Sequence, residues 1–116
     1  MSLHNLEKII GVTFTKKALL QNALVHRSYV NENRKLKCTN NERLEYLGDA
    51  VLELVITDYL FHAYPTSEEG ELTNMRSALV RKENLAKVGR KLELGKYLML
   101  SRGEEYSGGR EKDYLI

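Results

Sequence analysis

Apolar residues recur at steps of three and four along most of this chain, which is the period of an amphipathic helix. No segment shows the strict alternation of apolar and polar residues that is typical of a half-buried strand. The pattern predicts helices over 3–10, 15–25, 42–63, 68–80 and 82–91, and the start of another over 111–116. The predicted fold class is therefore all-α.

Local signals bound these predicted helices. Gly11 is a natural left-handed stop for the first helix, and Thr15 and Asn41 are candidate N-caps for the second and third. Tyr64-Pro65 is expected to break the long third helix. The polar segments 31–40 and 101–109 are expected to form exposed loops.

The third predicted helix carries three carboxylates on one side. At about 100° per residue, Glu42, Glu45 and Asp49 fall within an arc of roughly 60°, here called the acidic line. The strongest apolar stripe lies on the opposite side: Leu44, Leu47, Val51 and Val55. The acidic line itself continues into apolar residues: Leu52, Ile56 and Leu60. We therefore expect the helix to be buried and the acidic line to be partly buried.

Two interpretations of the acidic line remain open on spacing alone. Like charges three or four residues apart repel, and partial burial makes an unpaired carboxylate more costly. A hard divalent cation such as Mg²⁺ would remove both penalties, because it prefers oxygen ligands. The alternative is a surface helix whose acids pair with some of the 18 Lys and Arg residues.

Four blocks of sequence carry a resemblance to one family. The run from Glu42 to Leu52, with the sequence ERLEYLGDAVL, closely resembles the signature motif of the ribonuclease III family, endonucleases that cut double-stranded RNA. Three other blocks resemble family motifs in family order: His26-Arg27-Ser28; Glu69 to Thr73 with Arg76 to Val80; and Ser101 to Glu105 with Ser107 to Arg110. The resemblance implies the helical arrangement of the ribonuclease III endonuclease domain.

The resemblance also implies a catalytic centre. Glu45 and Asp49 match the carboxylates that bind catalytic Mg²⁺, for which Mn²⁺ can substitute. Glu42 and Glu69 match two further acidic positions that help to place the RNA or organise the site, although either is also favourable in a first helical turn. The implied reaction is hydrolysis of double-stranded RNA, including rRNA and mRNA precursors, to leave a 5′ phosphate and a 3′ hydroxyl.

Further positions point to a homodimer and to RNA contacts. Tyr46 matches an aromatic residue that enters a socket on the partner subunit, the alternative being an ordinary core aromatic. Gly48 would permit another helix to approach closely, so we expect dimerisation through the signature helix. Candidate phosphate contacts are Arg76, Arg81, Lys82, Arg102, Arg110 and Lys112.

Composition bounds the remaining alternatives. The chain has 116 residues, a net charge of +2 and one cysteine, Cys38, which excludes an internal disulfide. No apolar run is long enough to cross a membrane and no signal peptide is evident, so cytoplasmic localisation is expected. The glycines at 103, 108 and 109 lack the P-loop pattern, which argues against a nucleotide cofactor. His26 is better explained as a structural histidine at a helix end than as a general base.

The chain also departs from the family pattern. Family members carry a second acidic pair on a helix after the glycine-rich loop, and this chain ends at Tyr114-Leu115-Ile116, where that helix is expected to begin. Asp113 lies upstream of the expected position and is not assigned to the site. Residues 1–116 are thus expected to form a catalytic domain that is incomplete at its C-terminus, without a double-stranded RNA-binding domain. The alternative function is a non-catalytic ribonuclease III-like domain that binds RNA or a ribosome-associated partner.

Overall fold

The computed structural model describes residues 2–116 and is helical throughout. Its helices are α1 (Leu3–Ile10), α2 (Lys17–Ala23), α3 (Arg27–Glu32), α4 (Glu42–Ala63), α5 (Glu69–Leu79), α6 (Lys82–Lys91) and α7 (Arg102–Tyr106). Short 3₁₀ turns cover Arg34–Leu36, Leu94–Tyr97 and Gly109–Glu111. Within the described residues the β-pairing is a single parallel bridge between Val25 and Met99. The all-α prediction is confirmed.

Helix ends set by local chemistry agree with the sequence. Gly11 has φ of +74° and closes α1 by donating its backbone N–H to the Glu7 carbonyl, as a left-handed C-terminal residue should. The long helix α4 ends at Ala63, before Tyr64-Pro65, and α6 has the predicted bounds. None of the helices in residues 2–116 is long and apolar enough to span a bilayer.

Several local predictions were wrong. Helix α2 begins at Lys17 without a side-chain cap, so Thr15 is not its N-cap. The Asn41 side chain donates to the Ala23 carbonyl rather than capping α4, and Asn40 Oδ1 instead accepts from the Glu42 N–H. The bond from Asn41 to Ala23 fixes the start of α4 against the end of α2.

The two predicted loops contain short helices. Part of the 31–40 segment belongs to α3 and to the first 3₁₀ turn, and α7 lies within 101–109. In contrast, 111–116 does not begin a regular helix. Leu115 there packs against the core, and the Ile116 side chain lies over Gly89, where a Cβ would collide with it.

The core is small and lies at one end of an elongated molecule of 54 × 32 × 23 Å. It is formed by α1, α2 and the segment that follows α6, through Leu6, Leu20, Leu24, Tyr97, Leu98 and Leu100. Helix α4 packs chiefly against α5. Much of α4 is consequently left without cover from this chain.

Candidate functional site

The covered side of α4 is the reverse of the one that the apolar stripe predicted. Within that stripe, Leu47, Val51 and Val55 are all more than half exposed, at 60%, 51% and 58%. The residues that continue the acidic line are the covered ones: Leu60 is 3% exposed, and Leu52 and Ile56 are half-buried. The expectation that the apolar stripe is buried is therefore wrong for this chain by itself, because α5 packs on the other side.

Glu45 and Asp49 lie one turn apart on α4, and both are exposed. The expected partial burial of the acidic line is thus wrong, and mutual repulsion is worth only a few tenths of a kcal/mol in water. Neither carboxylate forms an ion pair within residues 2–116, although the chain has 18 Lys and Arg residues. The alternative in which surface cations neutralise these two acids does not describe this structure.

The other two predicted acids have different surroundings. Arg27 at the start of α3 lies 3.4 Å from Glu42, so this acid is partly neutralised by an exposed ion pair. Glu69 lies in the first turn of α5 and has the favourable position relative to the helix dipole that the sequence indicated. The sequence analysis did not assign a role to Arg27, although this residue belongs to the family block His26-Arg27-Ser28.

Helix α5 runs back along α4 and carries Glu69 away from the metal-ligand candidates. Arg76 Nη1 donates to Thr57 Oγ1 at 2.9 Å, and its Nε lies 3.6 Å from Glu53 Oε1. Asp49 precedes Thr57 by eight residues, about 12 Å of helix, and Glu69 precedes Arg76 by seven, about 10 Å. Because the helices are antiparallel, these distances add, and Glu69 is roughly 20 Å from Asp49.

The donor set fits a hard cation in chemistry but only in part in number. Mg²⁺ in proteins is commonly bound by one or two carboxylates and keeps several water ligands. Glu45 and Asp49 could supply those two carboxylates. Within residues 2–116, however, no group of three or more His, Cys, Asp and Glu residues is placed to hold a metal ion. Asp113 is not a third ligand, because it pairs with Arg90.

Tyr46 is 84% exposed, so it is not a core aromatic of this chain. Gly48 is also exposed, and nothing lies within 4 Å of the position that a Cβ would take there. Tyr46 belongs to a broad exposed surface of α4, called here the α4 apolar surface: Tyr46, Leu47, Val51, Leu54, Val55, Tyr59 and Phe61. Contiguous exposed apolar residues of this kind mark interaction sites.

Most of the predicted phosphate contacts already have partners within the chain. Arg76 joins α5 to α4, and Arg110 Nη1 donates to the carbonyls of Gly95 and Leu98 at 3.0 and 2.6 Å. Lys112 Nζ lies 3.3 Å from Glu104 Oε2, and this hydrogen bond raises the pKa of Lys112. Arg102 has an almost fully exposed side chain, 3.9 Å from Glu32. Their role in binding RNA remains a prediction.

The block His26-Arg27-Ser28 is a structural junction. His26 Nδ1 accepts from the Ser28 backbone N–H at 3.2 Å and so caps α3, which agrees with a structural histidine at a helix end. The His26 backbone N–H donates to the Met99 carbonyl at 3.0 Å. The block therefore holds the start of α3 against the segment that leads into α7.

Comparison with known proteins identifies the family. The family model described as Ribonuclease-III-like matches residues 16–116. Proteins named Ribonuclease 3 from Bacillus cereus (strain AH187) and Bacillus anthracis (strain CDC 684 / NRRL 3495) are each 51% identical over 107 residues, which cover 92% of this chain and 44% of theirs. The chain thus spans less than half the length of these curated relatives.

Solved structures agree with the sequence comparison. Two structures of the ribonuclease III nuclease domain from Campylobacter jejuni superpose with TM-scores of 0.90 and 0.88 at 42% identity. They cover 98% of this chain and 76% and 74% of the neighbouring chains. One of them is described as showing structural flexibility in the region involved in dimer formation. The matching family model, the relatives that are 51% identical and the shared fold together show that this chain belongs to the ribonuclease III family.

Proposed function

We propose that residues 1–116 form the catalytic domain of a Mg²⁺-dependent endoribonuclease that cleaves double-stranded RNA. The products would carry a 5′ phosphate and a 3′ hydroxyl, the substrates would include rRNA and mRNA precursors, and the site of action would be the cytoplasm. The observation that carries the proposal is the pair Glu45 and Asp49: two exposed carboxylates, one turn apart, without a cation from the described residues.

Each acid of the site has its own task in this proposal. Glu45 and Asp49 would hold the ion, on a helix whose backbone fixes their spacing. Mg²⁺ or Mn²⁺ held there would supply a nucleophilic water near neutral pH and would stabilise charge on the phosphate. Arg27, whose guanidinium lies 3.4 Å from the Glu42 carboxylate, would limit the negative charge at the start of the acidic line.

A homodimer would cover the α4 apolar surface. Tyr46 is an amphipathic anchor at one end of that surface, and an open groove of about 660 Å³, lined by Asn22, Glu42 and Arg43 among others, lies beside it. In a two-fold dimer the same patch faces itself, so the Tyr46 side chain of one subunit would enter the groove of the other. Dimer formation in the Campylobacter jejuni relative supports this arrangement.

A non-catalytic domain that binds RNA or a ribosome-associated partner is the second candidate. The absence of a third metal-ligating group near Glu45 and Asp49, within the part of the chain that the structure describes, favours it. The non-catalytic candidate, however, gives no reason for the two neighbouring carboxylates of Glu45 and Asp49 to stay unpaired. The enzyme is therefore the better proposal.

Cleavage of a long, end-labelled RNA duplex distinguishes the two candidates. The chain is assayed with Mg²⁺ and with chelator, beside Glu45→Gln and the matched control Glu71→Gln. Glu71 is also an exposed acid in the first turn of a helix, so it controls for the charge and the helix dipole. Metal-dependent cutting that Glu45→Gln loses and Glu71→Gln retains supports the enzyme. RNA binding without cutting by the wild type supports the second candidate.

A further inference from the structure

Apart from Lys82, the cations that remain unpaired among the described residues were not among the predicted phosphate contacts. Among the described residues, Arg76, Arg110 and Lys112 are used in intramolecular bonds. Unpaired cations are most concentrated in two places. One is the turn after α3, with Arg34, Lys35 and Lys37, here called the basic turn; the other is α6, with Lys82, Lys87 and Lys91.

The backbone of the basic turn is held in one conformation. The Leu36 N–H donates to the Asn33 carbonyl at 3.0 Å, and the Lys37 N–H donates to the Arg34 carbonyl at 3.3 Å. The Asn33 side chain donates to the Tyr29 carbonyl at 3.0 Å, which fixes the turn to α3. Lys37 has φ of +50°, a left-handed conformation uncommon for a residue with a side chain. The turn thus presents its three exposed cations from a fixed scaffold.

The basic turn lies close to the start of α4, where the acidic line begins. Helix α3 begins at Arg27, which contacts Glu42 at 3.4 Å, and the turn follows directly after α3. Lys37 precedes Glu42 by five positions, a path of at most about 18 Å. A polyanion at Glu45 and Asp49 would therefore pass within reach of the turn.

We propose that the basic turn binds the phosphate backbone of duplex RNA beside the acidic line. This proposal rests on the proposed function in taking RNA as the ligand, and it adds a subsite that the family motifs did not indicate. Contacts of Lys and Arg with phosphates release condensed counterions and do not depend on base sequence. Such contacts would hold the duplex while the carboxylates hold the metal.

Binding measured without divalent metal tests the basic turn separately from cleavage. The probe is a fluorescein-labelled RNA duplex in EDTA, and the readout is fluorescence anisotropy across a salt series. The variant is Arg34→Gln, Lys35→Gln and Lys37→Asn, with Asn at 37 because it tolerates the left-handed conformation. Each lost contact should reduce the salt slope by about 0.9. For three contacts, the affinity ratio between 50 and 200 mM salt should shrink about 40-fold.

Two further variants decide whether position or bulk charge matters. The triple variant Lys8→Gln, Lys87→Gln and Lys91→Gln removes the same charge from α1 and α6 and should keep a salt slope near that of the wild type. The variant Arg34→Lys, Lys35→Arg and Lys37→Arg keeps the charge and should bind as the wild type does. An equal loss of salt slope in the Lys8, Lys87 and Lys91 variant, an unchanged slope in the turn variant, or no duplex binding by the wild type would overturn the proposal.

Cleavage in Mg²⁺ with the same duplex separates this proposal from the proposed function. If the wild type binds the duplex but does not cut it, the proposed activity is rejected. The role of the basic turn is then decided by the binding measurements. A wild type that cuts, together with a turn variant of unchanged salt slope, supports the activity and rejects the subsite.

Discussion

The backbone N–H of Ser101 donates to Oγ of Ser28 at 3.0 Å, across 73 residues of sequence. Ser28 Oγ also lies 2.8 Å from His26 Nδ1, so one hydroxyl joins the second family block to the segment that leads into α7. Two residues upstream of that block, the Leu24 carbonyl accepts from the Met99 N–H, and the neighbouring Val25 carbonyl accepts from the Asn41 N–H, both at 2.8 Å. The corner between α2 and α3 therefore positions both the start of α4 and the segment 99–101 that leads into α7.

Substitution of Ser28 by Ala should destabilise the chain. The change leaves the Ser101 N–H without its partner, and an unmade hydrogen bond in a partly buried place costs about 1–3 kcal/mol. Urea unfolding followed by circular dichroism measures the loss. Ser77→Ala is the control, because Ser77 is exposed on α5, and it should change the unfolding free energy by less than about 0.5 kcal/mol. Equal effects of the two changes would show that the Ser28 bond adds nothing.

Glu7 should make stability depend on acid pH. Its buried carboxylate accepts from Lys17 Nζ at 2.5 Å and from the Phe14 N–H at 2.5 Å, and these two bonds hold the pKa of Glu7 below 4.5. A depressed folded-state pKa contributes stability above 4.5 that is lost as the pH falls through 4.5 towards the folded value. Glu7→Gln should be less stable at neutral pH.

Unfolding measured from about pH 6 to pH 3 tests this assignment of Glu7. The unfolding free energy of Glu7→Gln should fall less steeply over this range than that of the wild type. Glu71→Gln removes an exposed acid and should follow the wild-type curve. If the unfolding free energies of Glu7→Gln and the wild type fall in parallel with pH, a group other than Glu7 causes the acid sensitivity.

Substitution of Tyr46 by Ala should weaken dimerisation without unfolding the monomer. The side chain is 84% exposed, so its removal leaves no cavity within the subunit. Truncation of an aromatic anchor that fills a groove on the partner costs about 2 kcal/mol, which raises the dimer Kd about 30-fold. Sedimentation velocity gives the Kd. Tyr106→Ala removes a tyrosine that is 97% exposed and far along the chain, and it should leave the Kd unchanged.

Gly48→Ala should act in opposite directions on folding and on dimerisation. Nothing lies within 4 Å of a Cβ at Gly48, inside α4, or at Gly70, in the first turn of α5. Ala is about 0.5–1 kcal/mol better than Gly in a helix interior such as that of Gly48, and it is also the better helix former at Gly70. Both Gly48→Ala and Gly70→Ala should therefore stabilise the monomer at low protein concentration. Only Gly48→Ala should raise the dimer Kd, because a partner helix is expected to approach there. Unchanged association in this variant would reject the close approach.

Features that depend on nearby residues were predictable from the sequence. The left-handed stop at Gly11, the break at Tyr64-Pro65 and the bounds of α6 each depend on residues within one or two turns. The short helices α3 and α7 were missed because they have too few residues to show a periodic pattern. Their stability comes from tertiary bonds such as that of Ser28 with Ser101, which no local pattern contains.

The sequence by itself determined the helical class, the family and the spacing of Glu45 and Asp49, because helical period and literal motif are properties of the chain. Only the tertiary structure decided which side of α4 is covered. That helix has apolar residues on two sides, Val51 and Val55 on one and Ile56 and Leu60 on the other. Periodicity cannot choose between two such sides. The packing of α5 makes the choice: it buries Leu60 and leaves Val51 and Val55 exposed.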